Sequence, residues 1–234
     1  MEKYTVFQNI FCLTGLFYCG TLHVRKQGGK IMNEAALYKI GYGLFILSAN
    51  EDGFDNGCII NTVTQVTNTP NRIAVTVNKQ NKTHDMLMAT AKFNVTVLSE
   101  DVPFDEFKHF GFQSGKDVNK FAESEKYRRT ENGLLIAPEY ANAYISGSVF
   151  HSIDLGTHTM FIADVTDAEV LNDKESVTYA YYHKNIKPQN NAKPQGKVAY
   201  RCKICGYIHE GELPEDFICP LCKHPASDFE KIGD

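Results

Sequence analysis

The sequence predicts a mainly β protein: a closed or split barrel with a few peripheral helices, followed by a very small domain built around four cysteines. Three observations carry this. Runs rich in valine, isoleucine and threonine recur through the first 170 residues, set apart by turn residues, with few helical stretches between them. Near the C-terminus, Cys202, Cys205, Cys219 and Cys222 form two C-x2-C hooks with 13 residues between them. Between these regions, residues 184–197 hold two prolines and one large apolar side chain, the composition of an exposed linker.

Composition sets the outer bounds. At 234 residues, with 43% hydrophobic and 22% charged side chains, the chain suits one ordinary domain plus a minor one. A net charge of −4 gives no general affinity for nucleic acid or anionic membranes. Four of the seven cysteines sit in the hooks, and Cys12, Cys19 and Cys58 are scattered. That usage fits a reducing cytoplasm better than a disulfide scaffold.

Residues 1–31 stand apart. Ile10 to Leu22 is an apolar run of 13 residues, too short to span a membrane. Glu2 and Lys3 cancel and no A-x-A follows, so it does not read as a signal peptide. Gln27-Gly28-Gly29, a few codons ahead of Met32, can be encoded by a bacterial ribosome-binding sequence. Residues 1–31 are therefore expected to be a non-native or disordered extension, with the protein proper starting at Met32.

From Asn33 a short helix is expected, then Leu44 to Ala49 as a buried strand. Gly41-Tyr42-Gly43 is no dinucleotide loop, because Ile46 stands in the third glycine's place and the motif precedes its strand. Glu51 to Gly57 carries two turn signals and reads as a hairpin. Cys58 to Thr69 reads as one strand with a polar comb, and Arg72 to Val77 as the next, after a turn at Pro70. Asn81-Lys82-Thr83-His84 opens a helix running through Ala91, with Thr83 as its expected N-cap. Phe93 to Leu98 is a strand, residues 105–130 are short charged helices with no evident chemistry, and strands return at 143–153 and 158–170.

The hooks carry the sharpest chemistry. Two thiolates two residues apart grip a metal from one tight turn, and two such turns close a tetrahedral four-cysteine site. Gly206 suits a turn that aims amide N–H groups at sulfur, and Pro220 stiffens the second hook. An all-sulfur tetrahedron serves iron and zinc equally, so the ligands leave the metal open.

Tyr200-Arg201-Cys202-Lys203-Ile204-Cys205-Gly206-Tyr207, Leu213 to Cys222 and Ser227-Asp228-Phe229-Glu230 together resemble a rubredoxin, most nearly the shortened module of rubrerythrins, from Val198 to the C-terminus. The chain has no tryptophan, and Phe217 stands where rubredoxins usually carry one. Residues 33–183 resemble the flavin reductase-like family through Asn56 to Pro70, Asn81 to His84, Phe93 to Glu100 and Gly156 to Val165. Joined, the two parts resemble the high-molecular-weight rubredoxins of anaerobic bacteria.

The resemblance implies an FMN-binding split β-barrel at 32–183, a linker at 184–197 and a rubredoxin-like domain at 198–234. It also implies NADH or NADPH as donor, a homodimer, and a redox protein such as a flavodiiron oxygen or nitric oxide reductase as acceptor. His158 matches the family's histidine near flavin and nicotinamide, and Cys58 falls where the family lines the ring. Lys82 and Thr83 at a helix start suit the FMN phosphate, and Asn81 beside them is expected among the cofactor-binding residues. Asn61, Thr62 and Thr64, along a strand, suit the ribityl chain or ring edge, with Val63 between them also expected to bind the cofactor. A nicotinamide gives two electrons and a four-cysteine iron takes one, while a flavin handles either number. The expected function is electron transfer from NAD(P)H through FMN to iron. A free-standing flavin or ferric reductase with a structural zinc knob, and a non-catalytic FMN-binding module, remain the alternatives.

Overall fold

Seven strands form the main sheet of the computed structural model, which describes residue 36 and residues 39–188, 198–203, 207–219 and 225–232. The N-terminal extension 1–31, Cys205 and Cys222 lie outside the described residues. In chain order the barrel contains β1 (Phe45–Glu51), β2 (Phe54–Ile60), β3 (Val63–Asn68), β4 (Asn71–Asn78), α1 (Lys82–Thr90), β5 (Lys92–Leu98) and α2 (Phe104–Gly111). A short pair follows, β6 (Arg128–Arg129) and β7 (Leu135–Ile136), then the long β8 (Ala141–Asp154) and β9 (His158–Val170). The sheet order is β2-β1-β5-β8-β9-β4-β3, with antiparallel pairing throughout.

β1 opens with successive apolar side chains, Phe45-Ile46-Leu47, because both its faces are covered. Leu47 and Ala49 enter one core with Met86 and Leu87 of α1, Phe93, Val95 and Phe161. Leu44, just ahead of the strand, and Ile46 enter a second core with Phe107 and Phe110 of α2, Phe121, Leu135 and Tyr182. The tight β1–β2 turn places Asp52 and Gly53 at φ 51° and 82°, the left-handed pair a two-residue hairpin needs. β8 bulges against β9 between Ser146 and Gly147. Only a glycine fits at 147, since a Cβ would come within 2.4 Å of the fully buried Phe93 ring.

The structure corrects three local expectations. Cys58 to Thr69 is two strands, not one: the chain leaves β2 after Ile60, turns at Asn61–Thr62 and pairs with β4 from Val63. α1 is capped at Asn81, and Thr83 is its second residue rather than its N-cap. The expected linker begins helical. α3 (Tyr179–Tyr181) runs into a π-helical turn, Tyr182–Ile186, because Ile186, the segment's one large apolar side chain, packs on the second core.

The C-terminal module is a three-stranded sheet, β11-β10-β12, of β10 (Ala199–Cys202), β11 (Ile208–Glu210) and β12 (Phe229–Lys231). Its core is Cys202, Cys219 and Phe229, with Phe217 edge-on to Phe229 at 5.4 Å. Phe112, just past the end of α2, also packs against this cluster, and Lys187 Nζ donates to the Lys203 carbonyl at 3.2 Å. The module touches the barrel through these groups, where the linker composition alone suggests a free tether.

Candidate functional site

The start of α1 is open for a ligand in one specific respect. Asn81 enters the helix with extended backbone, φ −74° and ψ 133°, and its side chain makes no capping hydrogen bond. The amides of the first turn are therefore left without the side-chain acceptor that closes most helix starts. Beside them, Lys82 Nζ lies 3.4 Å from Glu51 Oε2, both side chains about a third exposed. Such an ion pair is worth at most about 1 kcal/mol, so a dianionic phosphate competes with Glu51 at small cost.

Thr83 does not face that mouth. It is fully buried, and its hydroxyl accepts from Asn56 Nδ2 at 2.9 Å. Asn56, on β2, is equally buried, and its Oδ1 has no protein partner among the described residues. Gly115 closes over it, so tightly that a Cβ there would lie 2.1 Å from Oδ1. Thr83 thus contributes a backbone amide at the helix start, while its side chain locks α1 onto β2.

Cys58 sits under the same helix start. It shares the first core with Met86 and Leu87 of α1, and burial pushes its pKa up against the opposing influence of the Thr83, Lys120 and Asn81 side chains. A neutral buried thiol is a lining group rather than a nucleophile. Next to it is a residue with no sequence signal at all. Lys120 is 3% exposed, and its Nζ donates to the Gly57 and Phe110 carbonyls at 2.9 and 2.8 Å. Burial holds its pKa below the ordinary lysine value. This ammonium ties the C-terminal end of α2 to β2, where the helix's exposed carbonyls favour a cation.

The remaining expected residues gather around the end of β4. The Thr62 carbonyl accepts from Thr76 N at 3.2 Å, and Val63 pairs with Val75. Asn61 Oδ1 accepts from the Thr62 hydroxyl at 3.0 Å. Thr64 is exposed on the edge strand β3. His158 opens β9 opposite Asn78, half-buried, with Nδ1 2.9 Å from the Thr157 hydroxyl. His84, the last residue of the Asn81–His84 stretch, is buried between α1 and β9, with Nε2 2.9 Å from the Thr159 hydroxyl. The fold therefore groups Cys58, Asn81 and Thr83 at the α1 start, and sets Val63, Thr64 and His158 on the strands that flank β4, with Asn61 and Thr62 at the corner leading into β3. A helix start with uncapped amides, a basic side chain at its mouth and polar strand ends beside it fits a phosphate-bearing flavin.

In the module, Cys202 and Cys219, one from each hook, are both buried and share one cluster. Cys202 N donates to the Tyr207 carbonyl at 2.8 Å, which folds the first hook back on itself. Two thiols from separate hooks, buried at one point, fit a four-thiolate metal; Cys205 and Cys222 would complete the set.

Fold and site together define a flavin reductase-like oxidoreductase carrying a small rubredoxin-like module. The chain belongs to the flavin reductase like domain family, which it matches over residues 37–189, and it matches the rubrerythrin, rubredoxin-like domain family over residues 200–230. It is similar along most of its length to the high molecular weight rubredoxin of Moorella thermoacetica, 36% identical over 86% of this chain and 100% of that protein. The ferric-chelate reductase (NAD(P)H) of Archaeoglobus fulgidus is 40% identical over 65% of this chain and 89% of its own length. In fold, the NADH:FAD oxidoreductase SgcE6 of Streptomyces globisporus, in complex with NAD and FAD fragments, superposes with a TM-score of 0.54 at 19% identity. That superposition covers 64% of this chain and 92% of the other.

Proposed function

We propose that the protein takes electrons from NADH or NADPH, holds them on FMN in the barrel, and passes them singly through a four-cysteine iron to a redox protein. FMN when bound supplies the two-to-one electron conversion that this sequence of donors requires. The helix-start amides and Lys82 hold its phosphate, displacing Glu51. Asn61, Thr62, Val63 and Thr64 serve its ribityl chain and ring edge, and Cys58 lies under it as a neutral apolar lining. His158, half-buried at the β9 start, orients the nicotinamide. Cys202, Cys205, Cys219 and Cys222 hold the iron.

The single observation that carries this reading is the union, in one chain, of a flavin reductase-like barrel with two buried thiols from paired cysteine hooks. A zinc in the hooks would give the module no redox role. The acceptor in this reading is a flavodiiron-type protein, the protein is cytoplasmic, and the barrel works as a homodimer.

A second reading is favoured by the Archaeoglobus relative, whose match is confined to 65% of this chain. In it the barrel acts as a free-standing flavin or ferric reductase and the module binds structural zinc. The visible spectrum and metal content of protein from the native host separate the two. Thiolate-to-iron absorption over the flavin bands, with one iron per chain, supports the first reading. Flavin absorption alone, with one zinc, supports the second.

A further inference from the structure

We propose that the C-terminal end of α2, with Phe112 at its tip, is a seat on which the chain's own cysteine module docks, so that the module works from a fixed place and not as a freely swinging carrier. Three observations meet there. Phe112 is half-buried, lies edge-on to Phe104 at 5.8 Å, and packs against the Cys202–Cys219–Phe229 cluster. Lys187, at the last turn of the barrel, donates to the carbonyl of Lys203, the residue after Cys202. The seat is also stiff, since the buried Lys120 ammonium holds the Phe110 carbonyl to that of Gly57.

The location gives the seat its purpose. The two residues before Phe112 pack on β2 on either side of Cys58. A Cβ at Gly57 would meet the Phe110 ring at 3.2 Å, and a Cβ at Gly111 would meet Ile59 at 3.3 Å. Cys58 in turn adjoins Thr83 and Asn81 of the helix-start cradle. One short run, Phe110-Gly111-Phe112, therefore touches the strand under the cradle on one side and the module's cysteine-bearing core on the other. The occupant is residues 198–232 of this chain, and aromatic packing supplies the contact. The seat is indifferent to which metal fills the hooks.

The chain has no tryptophan, so Phe112→Trp places a single reporter at the seat. In the zinc-loaded full chain its emission is expected at short wavelength and shielded from acrylamide. Stripping the metal from the same protein should shift emission to longer wavelength and raise the quenching constant at least twofold. Emission that is long-wavelength and freely quenched with metal in place, or unchanged by metal removal, overturns the proposal. A second variant needs no reporter. Phe112→Asp in the zinc-loaded full chain should increase the radius of gyration measured by small-angle scattering, at the same oligomeric state as wild type. An unchanged radius also overturns it. Neither readout depends on nicotinamide oxidation or on flavin affinity, so failure here is distinct from failure of the proposed function.

Discussion

Thr83→Val tests the division of labour at the helix start. The substitution keeps the branched shape and removes only the hydroxyl, which is the acceptor for Asn56 Nδ2 at 2.9 Å. Both residues are fully buried, and Asn56 Oδ1 already lacks a partner among the described residues, so the variant leaves the whole amide without one there. A buried polar group left without its partner costs about 1–3 kcal/mol. For a protein of this size that lowers Tm by roughly 2–12 °C, at about 2–4 °C per kcal/mol. Thr83→Ser keeps the oxygen and should lose less than about 1 kcal/mol, the value of a few buried methyl contacts. Urea unfolding of both variants, with and without flavin, gives the comparison. If Thr83→Val is as stable as Thr83→Ser without flavin, yet binds FMN far more weakly, the hydroxyl serves the phosphate and the inward reading is wrong.

Further outcomes follow from the same geometry. Lys82→Ala should weaken FMN binding by roughly ten- to a hundredfold, from about 1.5–3 kcal/mol for a charge-assisted contact, and leave riboflavin binding little changed; equal losses in fluorescence titrations would move the phosphate site elsewhere. Cys205→Ser should abolish the metal signature in the visible spectrum while flavin stays bound, and loss of flavin would contradict separate sites. Lys120→Met should destabilise the barrel by roughly 1–3 kcal/mol by stranding the Gly57 and Phe110 carbonyls. Its pH dependence has a definite sign. Burial lowers the Lys120 pKa below 10.5 in the folded chain, so between the two values the unfolded chain binds the extra proton and this lysine's contribution grows as pH rises. The stability gap between wild type and Lys120→Met should accordingly widen towards pH 10.5, and a narrowing gap in urea titrations would refute the assignment.

The strands and the hooks were legible because both are local signals: β-branched runs between turn residues, and cysteines at fixed spacing. The break at Asn61–Thr62 was not, since a single asparagine among strand-forming Val, Ile and Thr is a weak turn signal, and pairing with β4 decides. At the helix start Thr83 reads as the cap, but Asn81, two residues earlier, takes that place. The buried demand of Asn56, 27 residues away, turned Thr83 inward. Lys120 lay in a charged stretch with no motif, and its two acceptors are backbone carbonyls 63 and 10 residues distant. Backbone acceptors leave no trace in side-chain pattern. Phe112 likewise reads as an ordinary aromatic until the module is seen against it.

The central claim is that electrons from a nicotinamide reach the cysteine module through the barrel's flavin. Anaerobic stopped-flow mixing of NADH or NADPH with native-host protein, followed at wavelengths that separate flavin from thiolate-to-iron absorption, tests it most directly. The account predicts bleaching of the flavin first and the iron bands after it, at a rate independent of protein concentration, with the second phase absent in Cys205→Ser. Flavin that bleaches while the iron bands persist, or iron bands that bleach before the flavin, would contradict it.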